Sequence, residues 1–147
     1  VTPIEESKTG RAGISVTFAA PNFVQPLSGG LAIVRLNPLT HDSPSSIFTQ
    51  KERRTDVLTQ PQMQRDEVTC TLPSIYQVDE LPKPESFQTA YGSYERTYEV
   101  KPDGIVARRV FKLNRLTVPA AEYSAFRKFL SDVAKSDRSA VVLRRGT

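Results

Sequence analysis

The sequence predicts a mainly β protein: an antiparallel β-sandwich with one C-terminal amphipathic α-helix packed against it. Three observations carry that expectation. Apolar and polar residues alternate with period two through several short runs bounded by proline or glycine, the pattern of half-buried strands. The stretch "YGSYERTYEVKPDGIVARRVFKLNRLTVP" (91–119) reads as two long strands folded at Pro102-Asp103-Gly104. After Pro119 the apolar spacing changes to that of a helix.

The elements follow in chain order. Residues 1–13 are polar, carry Pro3, Gly10 and Gly13, and read as a flexible lead-in to a single domain over 14–145. "ISVTFAA" (14–20) sets Ile14, Val16 and Phe18 against Ser15 and Thr17, a first strand. Gly29-Gly30 supplies a turn before "LAIVRLNPL" (31–39), a second strand ended at Pro38. Residues 40–53 are polar and loop-like, and "RTDVLTQ" (54–60) is a short strand broken by Pro61. "RDEVTCTLP" (65–73) puts Val68, Cys70 and Leu72 on one face and Glu67, Thr69 and Thr71 on the other. "IYQVDELPKP" is a shorter extended piece, closed by Pro82 and Pro84.

The long hairpin then runs from Phe87 to Val118. Pro102 presets φ for a tight turn, and Gly104 is expected to take a positive φ and close the loop with a bulge. Tyr94, Tyr98 and Val100 share one face of the first arm; Ile105, Ala107, Phe111 and Leu113 share one face of the second. From about 120 to 135, Tyr123, Phe126, Leu130 and Val133 recur at helical spacing beside Phe129, with Pro119 suited to the first turn. Glu122 and Lys135 complement the two ends of the helix dipole. "SAVVLRR" (139–145) is a last strand.

At 147 residues, 38% hydrophobic and 24% charged, the chain is of a size and composition to build one core. No window approaches the roughly 18 apolar residues of a membrane span, and the N-terminus has neither a basic start nor an apolar core of a signal peptide. It lacks an initiator Met and reads as a mature or excised piece. A single Cys70 excludes an internal disulfide. The net charge of +4 is spread along the chain, so it would steer the protein toward anions only weakly at physiological salt.

Few residues offer chemistry. Cysteine catalysis needs a thiolate, a histidine and access for substrate. Cys70 falls on the apolar side of its strand, where it reads as a small buried hydrophobe, and His41 lies in a loop. One Cys and one His do not make a zinc set, and the acidic pairs 5–6, 66–67 and 79–80 have no calcium-loop pattern. Paired carboxylates of the glycosidase kind depend on spatial separation, so that reading stays open. The sequence has no Gly-rich phosphate loop and no Gly-x-Ser-x-Gly elbow. Arg108, Arg109, Lys112 and Arg115 crowd the second arm of the hairpin. Two readings stand for the hairpin's basic and aromatic residues: a stacking platform for single-stranded nucleic acid, or a solvent face on which Arg96, Arg108, Lys112 and Arg115 oppose Glu95 and Glu99. The second is the expectation, with Arg96, Arg108, Lys112 and Arg115 as the candidate binding surface.

The order of "RRTDVLTQP", "VTCTLPSIYQVDELP", the hairpin with its following "AAEYSAFRKFL", and "DRSAVVLRR" resembles the C-terminal β-rich region of bacterial exported transglutaminase-like proteins, from about Ile14 to Arg145. Leu72-Pro73, Tyr76, Leu81-Pro82, Gly104, Pro119 and Tyr123 carry the resemblance; Thr55-Asp56 stands where that family often has a proline. The resemblance implies a non-catalytic accessory or scaffolding domain outside the bacterial cytoplasm, in periplasm or cell envelope. A papain-like Cys/His/Asp core would lie upstream, so no catalytic residue, cofactor or metal is expected within this chain. Its partners would be other domains of the same polypeptide. The alternative is a module binding an anionic or glycan envelope component, or a protein; no nucleic-acid partner and no membrane insertion are expected.

Overall fold

The computed structural model describes residues 2–7, 11–15, 23–36 and 48–146. Two antiparallel four-stranded sheets form the sandwich, and one helix lies beside the second sheet on the face of the first. The larger sheet contains β6 (Gln62–Thr71), β8 (Glu85–Gln88), β9 (Gly92–Lys101) and β10 (Gly104–Leu113) in the order β6-β10-β9-β8. The smaller contains β3 (Val24–Pro26), β4 (Leu31–Val34), β7 (Tyr76–Glu80) and β12 (Val141–Arg145) in the order β3-β4-β12-β7. Two ribbons complete the strands: β1 (Thr2–Ser7) with β2 (Arg11–Ser15), and β5 (Val57–Leu58) with β11 (Thr117–Val118). The helix α1 spans Tyr123–Asp137 and is preceded by a 3-10 turn at Ala120–Glu122.

The predicted helical stripe is the buried one. Tyr123, Phe126, Phe129, Leu130 and Val133 pack with Tyr94, Phe111 and Leu113 from one end of the larger sheet, and with Val57 and Val118 of the β5–β11 ribbon. Phe129 stacks on Phe111 at 6.2 Å between centroids, and Tyr91 meets Phe126 edge-on at 5.5 Å. No side chain of the helix caps its own start; Asp56, just before β5, accepts a hydrogen bond from the Ala120 amide at 3.0 Å. At the other end of the same sheet face, Ile105 and Ala107 pack against Ala32, Val34, Val141 and Leu143 of the smaller sheet, with Val68, Cys70 and Leu72 at the margin. One sheet face therefore serves two cores.

Several expectations need correction. β1 and β2, which pair antiparallel, put described strands within the stretch expected as a lead-in, with no bearing on its flexibility. Of the strand expected over 14–20, only Ile14 and Ser15 fall in β2; residues 16–20 lie outside the described residues, as does His41. Phe87 belongs not to the hairpin arm but to β8, which turns back onto β9 with the Thr89 amide bonded to the Gly92 carbonyl. Gly104 does not have a positive φ: Lys101 pairs directly with Gly104, leaving a two-residue loop and no bulge. Its requirement for glycine is close approach, since a Cβ there would sit 2.0 Å from the Cys70 carbonyl oxygen. Positive φ occurs instead at Gly29 and Gly30, in the turn before β4. Val100 is on the inward-facing parity but 53% exposed, lining an open groove with Leu72, Tyr76 and Val78.

Candidate functional site

Register decides which hairpin side chains face solvent. Directly opposed residues in antiparallel strands share a face, and alternate residues of one strand share it too. On the inner face the middle row across the larger sheet reads Asp66, Arg109, Arg96, Glu85. The next row on one side is Val68, Ala107, Tyr98, and on the other Gln64, Phe111, Tyr94, Phe87. A charged row thus separates the two cores. Arg96, expected on the solvent face, is 2% exposed, because it lies between Tyr94 and Tyr98 at the parity of both.

Two guanidiniums facing each other across neighbouring strands repel, and the row's own carboxylates, Asp66 and Glu85, stand at its two ends, so its middle calls for a further anion. Asp137, the last residue of α1, supplies it. Arg109 donates from Nε to Asp137 Oδ1 at 2.7 Å and from Nη2 to Oδ2 at 3.0 Å, a two-pronged bond of the kind a planar guanidinium favours. Its Nη1 reaches Asp66 at 3.0 Å and Gln64 at 3.3 Å. Arg96 lies 3.7 Å from Asp137 and donates to the carbonyls of Ser136 at 2.9 Å and Leu36 at 3.3 Å. The Tyr94 hydroxyl donates to Asp137 Oδ1 at 2.8 Å. One cluster therefore joins the larger sheet, the segment that follows β4 and the helix end.

Burial alone would lower the Arg109 pKa, but the bonds to Asp137 and Asp66 raise it, so the cation is held firmly. Burial also pushes the Tyr94 hydroxyl up to about 12, Ser136 and Arg96 opposing the rise and Asp137 adding to it. Arg109 lies over the rings of Tyr94 and Phe111, 5.5 and 5.6 Å from their centroids. The cluster binds the protein to itself: its acids and bases are paired with one another.

The other three residues of the expected binding surface do not come together. Arg108 is on the outer face, bonded to Glu67 at 2.7 Å and Glu99 at 2.9 Å. Those bonds, to Glu99 first, hold its pKa up, and Lys101 followed by Arg108 draws the Glu99 carboxyl down. Lys112 lines a shallow outer groove with Ser86, Gln88, Ser93, Glu95 and Val110. Arg115 lies beyond β10, where it pairs with Glu122 and covers the Tyr91 ring. Arginine, lysine and glutamate alternate across this face, so it is a mixed surface and not a basic one.

Cys70 is half-buried at the margin of the sandwich core, and burial pushes its thiol above the usual range, away from the thiolate a nucleophile needs. Among the described residues no group of three or more His, Cys, Asp or Glu side chains is placed to hold a metal. None of their helices is long and apolar enough to cross a membrane. Sequence reasoning missed Arg109 and Asp137. Signals for both were present: Arg109 alternates with Ala107 and Phe111, and Asp137 continues the helix stripe Phe126, Leu130, Val133 by one more step of four.

No curated protein matches the chain. A crystal structure from Parabacteroides distasonis, named a "putative protease", is similar in fold with a TM-score of 0.65 at 18% sequence identity. The match covers 80% of this chain but 24% of that one, so this chain spans about a quarter of its neighbour's length. The family described as a Domain of Unknown Function of solved structure (DUF3858) matches residues 31–143, which include both cores, the charged row and the helix. That match takes in well over half of the 147 residues, and the chain belongs to the DUF3858 family.

Proposed function

We propose that this is a non-catalytic accessory domain, a rigid β-sandwich that supports or positions other domains of a larger exported bacterial protein of transglutaminase-like type. The observation that carries the reading is the partial match: the same fold recurs as 24% of a much longer chain. The neighbour's name describes that whole protein, and any peptide chemistry in a polypeptide containing this domain is assigned to its other parts. Support comes also from the spending of the chain's chemistry on its own fold. Arg96, Arg109, Asp137 and Tyr94 satisfy one another, and Cys70 is tuned away from reactivity.

The transglutaminase-like association and the extracytoplasmic setting rest on the resemblance of "VTCTLPSIYQVDELP" and the hairpin motifs. Reading the complete gene product tests both, through an export signal and an upstream Cys/His/Asp core. The 147-residue chain should neither hydrolyse nor transfer acyl groups from peptide and amide substrates. Turnover that survives Cys70→Ser, or is abolished by it, would equally overturn the non-catalytic reading.

A further inference from the structure

We propose that the free edge of β6 is a self-pairing surface that joins two copies of this chain into one continuous sheet. β6 is ten residues long and among the described residues bonds only to β10, and all ten of its residues are exposed or half-exposed. The sheet's other edge, β8, has four residues, while the edges of the smaller sheet are β3, with three including Pro26, and β7, with five. A long open edge is a template for another strand, and native proteins usually shorten, cover or charge it. β6 is not short, and no described strand covers it; it is charged, at Arg65, Asp66 and Glu67 in its middle.

Those charges select a partner. Two copies of β6 related by a two-fold axis normal to the sheet run antiparallel, and opposed residues must share a face. With the axis at Asp66, Arg65 faces Glu67 of the second copy on the outer side, and the same contact repeats across the axis. In that register Met63, 46% exposed, faces Thr69 of the second copy, and Gln64 faces Val68. Moving the axis one position sets either Arg65 against Arg65 or Glu67 against Glu67. Opposite charges directly across an antiparallel pair stabilise it and like charges do the reverse, so one register is favoured over both neighbours. Asp66 meets its own copy on the axis, but each carboxylate keeps its Arg109 at 3.0 Å on the inner face. Glu67 already bonds Arg108, whereas among the described residues Arg65 has no ion pair until the second copy provides one.

Sedimentation equilibrium of the 147-residue chain over a wide concentration range tests the pairing. A reversible transition toward twice the 16.4 kDa mass is expected, weakening as salt rises. Arg65→Glu and Glu67→Arg should each weaken self-association about tenfold, since two attractive contacts become repulsive. An equimolar mixture of the two variants should return to within about threefold of the original affinity, because each altered side chain then faces its complement. Hydrogen exchange on the unmodified chain gives a reading independent of the variants: β6 amides should gain protection as concentration rises. A chain that stays monomeric at its solubility limit, dimers indifferent to both substitutions, or a mixture no tighter than its parents would overturn the proposal. β6 amides whose exchange is independent of concentration would do the same, and would leave the edge to another segment of the larger polypeptide.

Discussion

Replacing Asp137 with alanine removes the one carboxylate that both buried guanidiniums approach. Arg109 would lose its two bonds to that group, at 2.7 and 3.0 Å, and Tyr94 would lose its acceptor at 2.8 Å. Hydrogen bonds to charged groups contribute about 1.5–3 kcal/mol each, but three bonds that share one acceptor group do not add. The more useful scale is the cost of removing one partner from a buried ion pair, about 3–5 kcal/mol, because a cation is left behind without compensation. Asp137 is 8% exposed and Arg109 5%, so water enters only with local unfolding, and Asp66 relieves Arg109 only from the sheet edge. A loss of about 3–4 kcal/mol follows. In a chain of this size that corresponds to a fall in Tm of roughly 6–16 °C.

Urea unfolding followed by circular dichroism measures the change, with an unchanged slope confirming that the denatured state is the same. The double variant Arg109→Met/Asp137→Leu should be less damaging than Asp137→Ala alone, since well-packed apolar residues often replace a buried pair at little cost. Arg96 would keep its bonds to the Ser136 and Leu36 carbonyls. A loss below about 1 kcal/mol for Asp137→Ala would refute the reasoning, as would a double variant that costs the sum of both single ones.

Phe126→Ala should cost about 3–5 kcal/mol by urea unfolding, since its ring is fully buried between Tyr91, Phe48 and the sheet; a near-neutral result would mean the ring contributes no core packing. Gly104→Ala should lose at least about 1–3 kcal/mol, because its Cβ meets the Cys70 backbone at 2.0 Å and a strand must move; an unshifted urea midpoint would contradict that contact. Tyr94 has a folded pKa near 12 against 10.0 for the free side chain, so the folded state keeps a proton that the unfolded chain loses. Its contribution is therefore whole below pH 10 and disappears as pH rises toward 12; a Tyr94→Phe variant should show a shallower alkaline loss, by about 2–3 kcal/mol over that window. Native Cys70 should react with a thiol reagent at pH 8 well below the rate of the unfolded chain, and equal rates would show an open thiol.

The parts legible in the sequence are those set by near neighbours. The helix stripe, the β9–β10 hairpin and the face of Val68, Cys70 and Leu72 follow from periodicity alone, and each is found where that periodicity puts it. Strand order was not legible, because β6 meets β10 across roughly forty residues and β12 enters between β4 and β7 from the far end of the chain. No local pattern encodes such pairings. Arg96 is a different case. Its alternation with Tyr94 and Tyr98 marked it as inward, yet a charge is assigned to solvent by default because burying it alone costs so much. What made burial tolerable was Asp137, one step beyond the last apolar residue of a helix forty residues away. A basic residue at a core parity is therefore an instruction to look for an acid at the end of another element's apolar stripe. In this chain following it moves Arg96 from the expected solvent face to the joint between two cores.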